Sequence, residues 1–218
     1  MKYRLPAILV SLALNISARA NAEPAPDVQA VKLTVSVFND AIVPAPVLSA
    51  SQARATAIFL RAGVTLSWLD CGSPGHRIPN SGCSDISFPE HLSVRLVPNV
   101  RPASGETFGQ SFLNSAGEGS YASVYVDPLA SSQAAELVHE GELLGCVIAH
   151  ELGHLLLGRD SHSPYGLMSA IWRTSELREA ARGNLFFTGG QSERIRSRYL
   201  EKYARWRAPA VPPASHGN

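Results

Sequence analysis

Beyond its first two dozen residues the chain has no apolar run long enough to span a bilayer, no internal repeat and no excess of charge of either sign. Its 19 Lys and Arg balance 18 Asp and Glu, which leaves no basic field to hold a phosphate backbone and speaks against nucleic-acid binding. Charged residues make up only 17% of the chain and apolar residues 45%. That balance excludes disorder for the bulk of the chain and predicts a packed core. With 218 residues, the chain is expected to form one domain of ordinary size, with no second independent unit.

The N-terminus differs from the rest. Lys2 and Arg4 precede the apolar run "LPAILVSLALNIS", and "ANA" at 20–22 puts small residues where signal peptidase cleaves. Residues 1–22 therefore read as a cleaved signal peptide, which predicts a secreted or periplasmic protein without a stable membrane span in its mature form. Cleavage removes three of the 19 basic residues, Lys2, Arg4 and Arg19, and no acid, leaving 16 basic and 18 acidic residues. Residues 23–207 are expected to form the functional domain, with lobes at about 28–158 and 159–207, and the Pro-rich tail 208–218 to be disordered. The short leader from Ala22 to the first strand leaves no room for a separate pro-domain.

Cysteine is scarce, three in all. In an oxidising compartment, Cys71 and Cys83 enclose a loop rich in turn-forming residues and are expected to form a disulfide. Cys146, in an apolar stretch, is then a small buried thiol.

Apolar and β-branched alternation predicts strands at 31–40, 65–70, 91–98 and 121–127, the last ended by Pro128. Helical spacing predicts a helix over 48–64 and one long helix over 132–158, with Ser132 as cap, Glu136 in the first turn and Gly158 as stop. Gly141 and Gly145 threaten the early part of that helix. The Gly- and Ser-rich stretch 103–120 carries no element in this reading, and a short helix over 174–183 and a final helix over 190–206 close the chain. The order predicts an α+β fold, one mixed sheet backed by helices, with a small irregular and helical C-terminal lobe.

The chemistry lies in "HELGH", residues 150–154. Residues i and i+4 of a helix lie about 40° apart on one face, so His150 and His154 can aim ring nitrogens at one point, as a zinc ion requires. Glu151 is turned about 100° from His150, beside that point, where a carboxylate can take a proton from a zinc-activated water. Two histidines make a weak site, so a third protein ligand is needed, with the fourth position left for water.

The longer run "HELGHLLLGRDSHSPYGLM" resembles the zinc region of the metzincin metalloproteases, HExxHxxGxxH followed by a methionine turn. It is particularly similar to a group of small exported bacterial metalloprotease-like chains with HE(I/L)GHLLLG, SHS and Gly-(Leu/Ile)-Met. The resemblance implies a metzincin-like α+β domain with one catalytic zinc, His150, His154 and a third ligand on the metal, Glu151 as general base, and Met168 in the turn beneath it. It covers about twenty residues, and the spacing departs from the pattern: Gly158 lies four residues after His154, and His162 four after Gly158. Asp160 sits at the strict offset of the third ligand. His162 is the preferred third ligand because glycine can absorb an extra residue in the turn and a neutral imidazole suits zinc. Asp160 is the alternative, and a gluzincin-like Glu176 or Glu179 ranks last.

Other residues invite roles of their own. His139 is too far along the helix to share the zinc, and Cys146, one turn before His150, would close the site to water if it bound. "CGSP" at 71–74 is similar to the cysteine switch of some metzincin propeptides, against which the disulfide is preferred. The strand "SYASVYVD" corresponds in order to the metzincin edge strand that pairs with extended substrate. Tyr165 is read as packing, with oxyanion donation the alternative. The expected function is a zinc-dependent endopeptidase acting on peptide or protein substrates. The alternative is a zinc-stabilised, non-catalytic binding or adhesion domain on a protease scaffold.

Overall fold

The computed structural model describes residues 31–75, 81–84, 89–98 and 108–208. The expected signal peptide lies outside these residues, as does all of the Pro-rich tail but Ala208. Five strands form one mixed sheet: β1 (Val31–Asn39), β2 (Val64–Asp70), β3 (His91–Val97), β4 (Gly109–Phe112) and β5 (Tyr121–Tyr125), in the order β2-β1-β3-β5-β4. The first four in that order are parallel, and β4 runs antiparallel to β5 along the edge.

The register explains why alternation marked the strands. Val35 pairs with Leu92 and Val37 with Val94, and Val94 and Leu96 pair in turn with Ala122 and Val124. All of these are buried, so one face of the sheet is continuously apolar. Two helices cover that face, α1 (Ala45–Arg61) and α4 (Glu140–Leu157). Pro44 and Pro46 open α1, where a missing backbone N–H costs nothing.

Four expectations need correction. The run over 132–158 is two helices, α3 (Gln133–Leu137) and α4, separated at Val138 and His139, whose backbones are extended. Ser132 precedes α3, but its hydroxyl donates backwards to the Leu129 carbonyl. Strand β5 ends at Tyr125, and Pro128 sits in the first turn of another short helix, α2 (Val126–Ala130). The edge of the sheet is β4, within the Gly- and Ser-rich stretch, whereas β5 lies inside, between β3 and β4.

Gly141 and Gly145 do not interrupt α4. A Cβ on Gly141 would come within 2.6 Å of the Ala50 Cβ, and one on Gly145 equally close to the Arg54 Cβ and the Ser51 carbonyl. The two glycines form the groove in which α1 crosses α4, and the close approach of the helices outweighs the poor helix propensity of glycine.

The remaining helices, α5 (Thr174–Ala181) and α6 (Gly189–Arg207), complete the described chain. Arg54 of α1 ties them in: its Nη1 and Nη2 donate to the carbonyls of Gly183 and Leu185, each at 2.8 Å, between α5 and α6. Its Nε lies 3.3 Å from Glu142 of α4, paired in charge but not aligned as a hydrogen bond. Arg198 of α6 donates to the Leu156 carbonyl at the C-terminal end of α4. Cys71 and Cys83 form the expected disulfide, with Cα atoms 5.8 Å apart at the end of β2. Among the described residues, no helix is long and apolar enough to cross a membrane.

Candidate metal centre

The last three turns of α4 carry both histidines of the HELGH run. Leu152, Leu155 and Leu157 around them are buried, and this apolar packing fixes the rotation of the helix about its axis. At Gly158 the chain leaves the helix with φ of 81°, and Asp160 is also left-handed, with φ of 52°. A Cβ at Gly158 would lie 2.8 Å from the Arg198 guanidinium and 3.1 Å from the Gly117 carbonyl, so the turn needs glycine on two counts. These two positive-φ residues take up the extra spacing and return His162 towards the helix. Ligand atoms of His150, His154 and His162 all lie within 4.8 Å of one another.

Two of the rings are held by their outer nitrogens. His150 Nδ1 donates to the Leu167 carbonyl at 2.8 Å, a contact that needs the proton on Nδ1 and leaves Nε2 a bare lone pair. His154 Nδ1 is 2.7 Å from the hydroxyl of buried Ser161. The two Nε2 atoms lie 3.0 Å apart, and His162 completes the group with its ring centre 4.7 Å from that of His154. Burial holds His150 down to about 4, partly opposed by the Leu167 bond, and burial with the two neighbouring rings holds His154 down to about 3. Both imidazoles are therefore neutral at pH 7, the form that binds a metal.

Leu167 and Met168 belong to the turn beneath the helix. The Leu167 N–H donates to the Phe186 carbonyl, and its own carbonyl also accepts from Trp172 Nε1 at 3.0 Å. Met168 is fully buried, and its sulfur lies 2.7 Å from where a Cβ on Gly153 would stand. The turn thus packs directly on the backbone of α4, between the two histidines.

Glu151 is 5% exposed and reaches the other way, to the edge strand. Ser111 Oγ lies 2.7 Å from both Glu151 Oε2 and the Glu151 carbonyl. A Cβ on Gly109 would stand 2.6 Å from Glu151 Oε1. Burial pushes the Glu151 carboxyl up to about 7, against the opposing pull of the Ser111 hydrogen bond. The carboxylate and the three histidines line a cavity of about 700 Å³, bounded by Phe108 to Ser111 on one side and by Val147, Ile171, Trp172 and Leu177 on the other. An open cleft with three nitrogen donors, a poised carboxylate and an edge strand has the parts for metal-assisted hydrolysis of an extended chain.

The structure brings together His150, Glu151, His154 and His162, and places Met168 beneath them. Asp160 is exposed and outside the converging group. Glu176 accepts from the Arg173 N–H and the Ser175 hydroxyl at the start of α5, while Glu179 pairs with Arg182 at 3.0 Å. His139 sits at the start of α4. Cys146 is a free buried thiol, pushed up to about 11 by burial, and Cys71 is committed to the disulfide. Tyr165 is 64% exposed, so it fills no core, and it is not part of the cavity wall. Ser111, Gly109, Ser161 and Trp172 were not marked by the sequence reading. Ser161 alone had a local signal, its place directly before His162 in the SHS run.

No protein-family model matches the chain, and no curated protein sequence does. Solved structures do match. A zinc-dependent peptidase from Methanocorpusculum labreanum superposes with a TM-score of 0.50 at 16% identity, covering 74% of this chain and 99% of its own. Archaemetzincin from Methanopyrus kandleri gives 0.50 at 19% identity, covering 82% and 99%. At these identities the likeness establishes the fold: a mixed sheet with helices, of the kind seen in zinc peptidases.

Proposed function

We propose that the chain is an exported, metzincin-like zinc endopeptidase. The observation that carries this reading is the convergence of His150, His154 and His162 beside the buried carboxylate of Glu151, in an open cleft along a sheet edge. The names of the two structural neighbours, a zinc-dependent peptidase and an archaemetzincin, point the same way.

The residues fit a zinc ion. Three imidazoles are a donor set that zinc favours, and the fixed Nδ1 proton of His150 leaves its bare Nε2 lone pair facing His154 Nε2, 3.0 Å away, where a shared cation would fit. Zinc bound there would polarise a peptide carbonyl and acidify a water. Glu151 would hold the proton-transfer role beside it, taking a proton from a water that adds to the carbonyl carbon and returning it to the leaving amine. Its position at the boundary of protonation near neutrality suits a group that must both accept and return a proton. Strand β4, the last in the sheet among the described residues, aligns an extended substrate by backbone pairing, and the apolar wall of Val147, Ile171 and Leu177 receives a side chain.

The test is metal-dependent hydrolysis. Zinc-loaded protein should cleave a labelled, unstructured protein substrate, lose that activity in a chelator and regain it when zinc is restored. Zinc binding with no cleavage would replace this reading by the non-catalytic binding domain.

A further inference from the structure

The geometry points to Ser111 and Gly109 of β4 as positioning residues that form a seat for the Glu151 carboxylate. This inference rests on the proposed role of Glu151 as the proton-transfer group. A glutamate on a helix has three side-chain torsions, and a carboxylate free to rotate spends little time in the one geometry that serves the reacting water. Here a single hydroxyl removes that freedom. Ser111 Oγ, 2.7 Å from both Glu151 Oε2 and the Glu151 carbonyl, shares its one proton between these two acceptors and ties the tip of the side chain back to its own backbone.

Gly109 supplies the space. A side chain there would overlap Glu151, with its Cβ 2.6 Å from Cγ and from Oε1 and 2.7 Å from Cδ, so the carboxylate occupies room that only glycine leaves. Gly109 and Ser111 are two apart on one strand and so face the same side of the sheet. Their register partners on β5, Val124 and Ala122, are fully buried in the core. The seat is thereby tied to the sheet, while Glu151 belongs to the helix that packs on it, and the strand that borders the cleft also sets the carboxylate. The hydroxyl uses one acceptor direction of Oε2 and leaves the other lone pairs of the carboxylate for water.

The experiment compares wild type, S111A, S111T, G109A and E151Q, each as folded, metal-loaded protein. In S111A, kcat should fall about 10- to 100-fold, with KM changed less than about twofold and zinc affinity unchanged. S111T, which keeps the hydroxyl, should recover most of that loss. G109A should approach E151Q, because its methyl group displaces the carboxylate. A second readout needs no turnover: in cobalt-substituted protein the visible band reports the coordination shell, and S111A and G109A should shift it as E151Q does, while S111T should not. Wild-type rates in S111A would overturn the seat, as would a band that moves in E151Q but stays in place in S111A and G109A. Absence of cleavage by wild type would refute the peptidase reading, and the cobalt spectra would still decide the seat.

Discussion

Glu151 and its two flanking histidines have opposite electrostatic fates within one turn of helix. Burial raises the glutamate to about 7 and lowers His150 to about 4 and His154 to about 3. Each shift favours the neutral form, which suits metal binding at the imidazoles and proton exchange at the carboxyl. Replacing Glu151 by Gln should therefore lower the rate by at least about 10²- to 10⁴-fold while the zinc content measured by elemental analysis stays at the wild-type level. His162 and Asp160 separate in the same assay. His162→Ala should release zinc to a chelator that the wild type resists, and Asp160→Ala should not, because Asp160 is exposed and outside the converging group. If Asp160→Ala lost the metal and His162→Ala kept it, the assignment of the third ligand would be reversed. The i, i+4 spacing of the histidines and the SHS run were legible because each is local. Ser111 was not, since it lies 40 residues from Glu151 and stands in a segment with no periodic pattern. The same holds for the Leu167 carbonyl, which orients His150 through the backbone and leaves no mark in residue type.

At the scale of elements, alternation found the four strands of the parallel sheet, because each places buried aliphatic residues on the helix-covered face. It missed β4, whose Gly-Gln-Ser-Phe sequence has no apolar face to bury, and whose pairing with β5 is set by tertiary contact alone. It also ran α3 and α4 together, since the break at Val138 and His139 contains neither Gly nor Pro. The glycines in α4 misled for a related reason: propensity counts their cost within the helix but not the neighbour they admit. The crossing makes a direct prediction. Gly145→Ala places a methyl 2.6 Å from the Arg54 Cβ and the Ser51 carbonyl, both close to the α1 backbone. Despite the better helix propensity of Ala, urea unfolding should show a loss of about 1–3 kcal/mol, with Gly141→Ala losing less because its nearest neighbour is the Ala50 methyl. A gain in stability at Gly145 would contradict the crossing as described.

For the whole molecule, the buried titrating groups give the metal-free protein a signed pH dependence. His150 and His154 titrate lower in the fold than the usual histidine value of about 6.5, so the unfolded chain takes up their protons first. Their contribution is complete above that value and is lost as the pH falls towards about 4 and 3. Glu151, raised to about 7, acts in the opposite sense: its contribution is present below the ordinary carboxylate range and lost as the pH rises through 7. Two groups outweigh one, so the melting temperature of the metal-free protein should fall between pH 6.5 and 4.5, and should fall more steeply in E151Q. A flat or rising profile in both would contradict the burial of the histidines. The fold class and the histidines that converge were readable from the sequence, whereas the cleft that joins sheet edge, helix and turn exists only in the assembled molecule. The most direct test of the account is mass spectrometry of a diverse peptide mixture incubated with zinc-loaded wild type and, in parallel, with zinc-loaded E151Q. The account predicts new internal cleavages with the wild type alone. Cleavage by both proteins alike, or by neither while zinc remains bound, would contradict it.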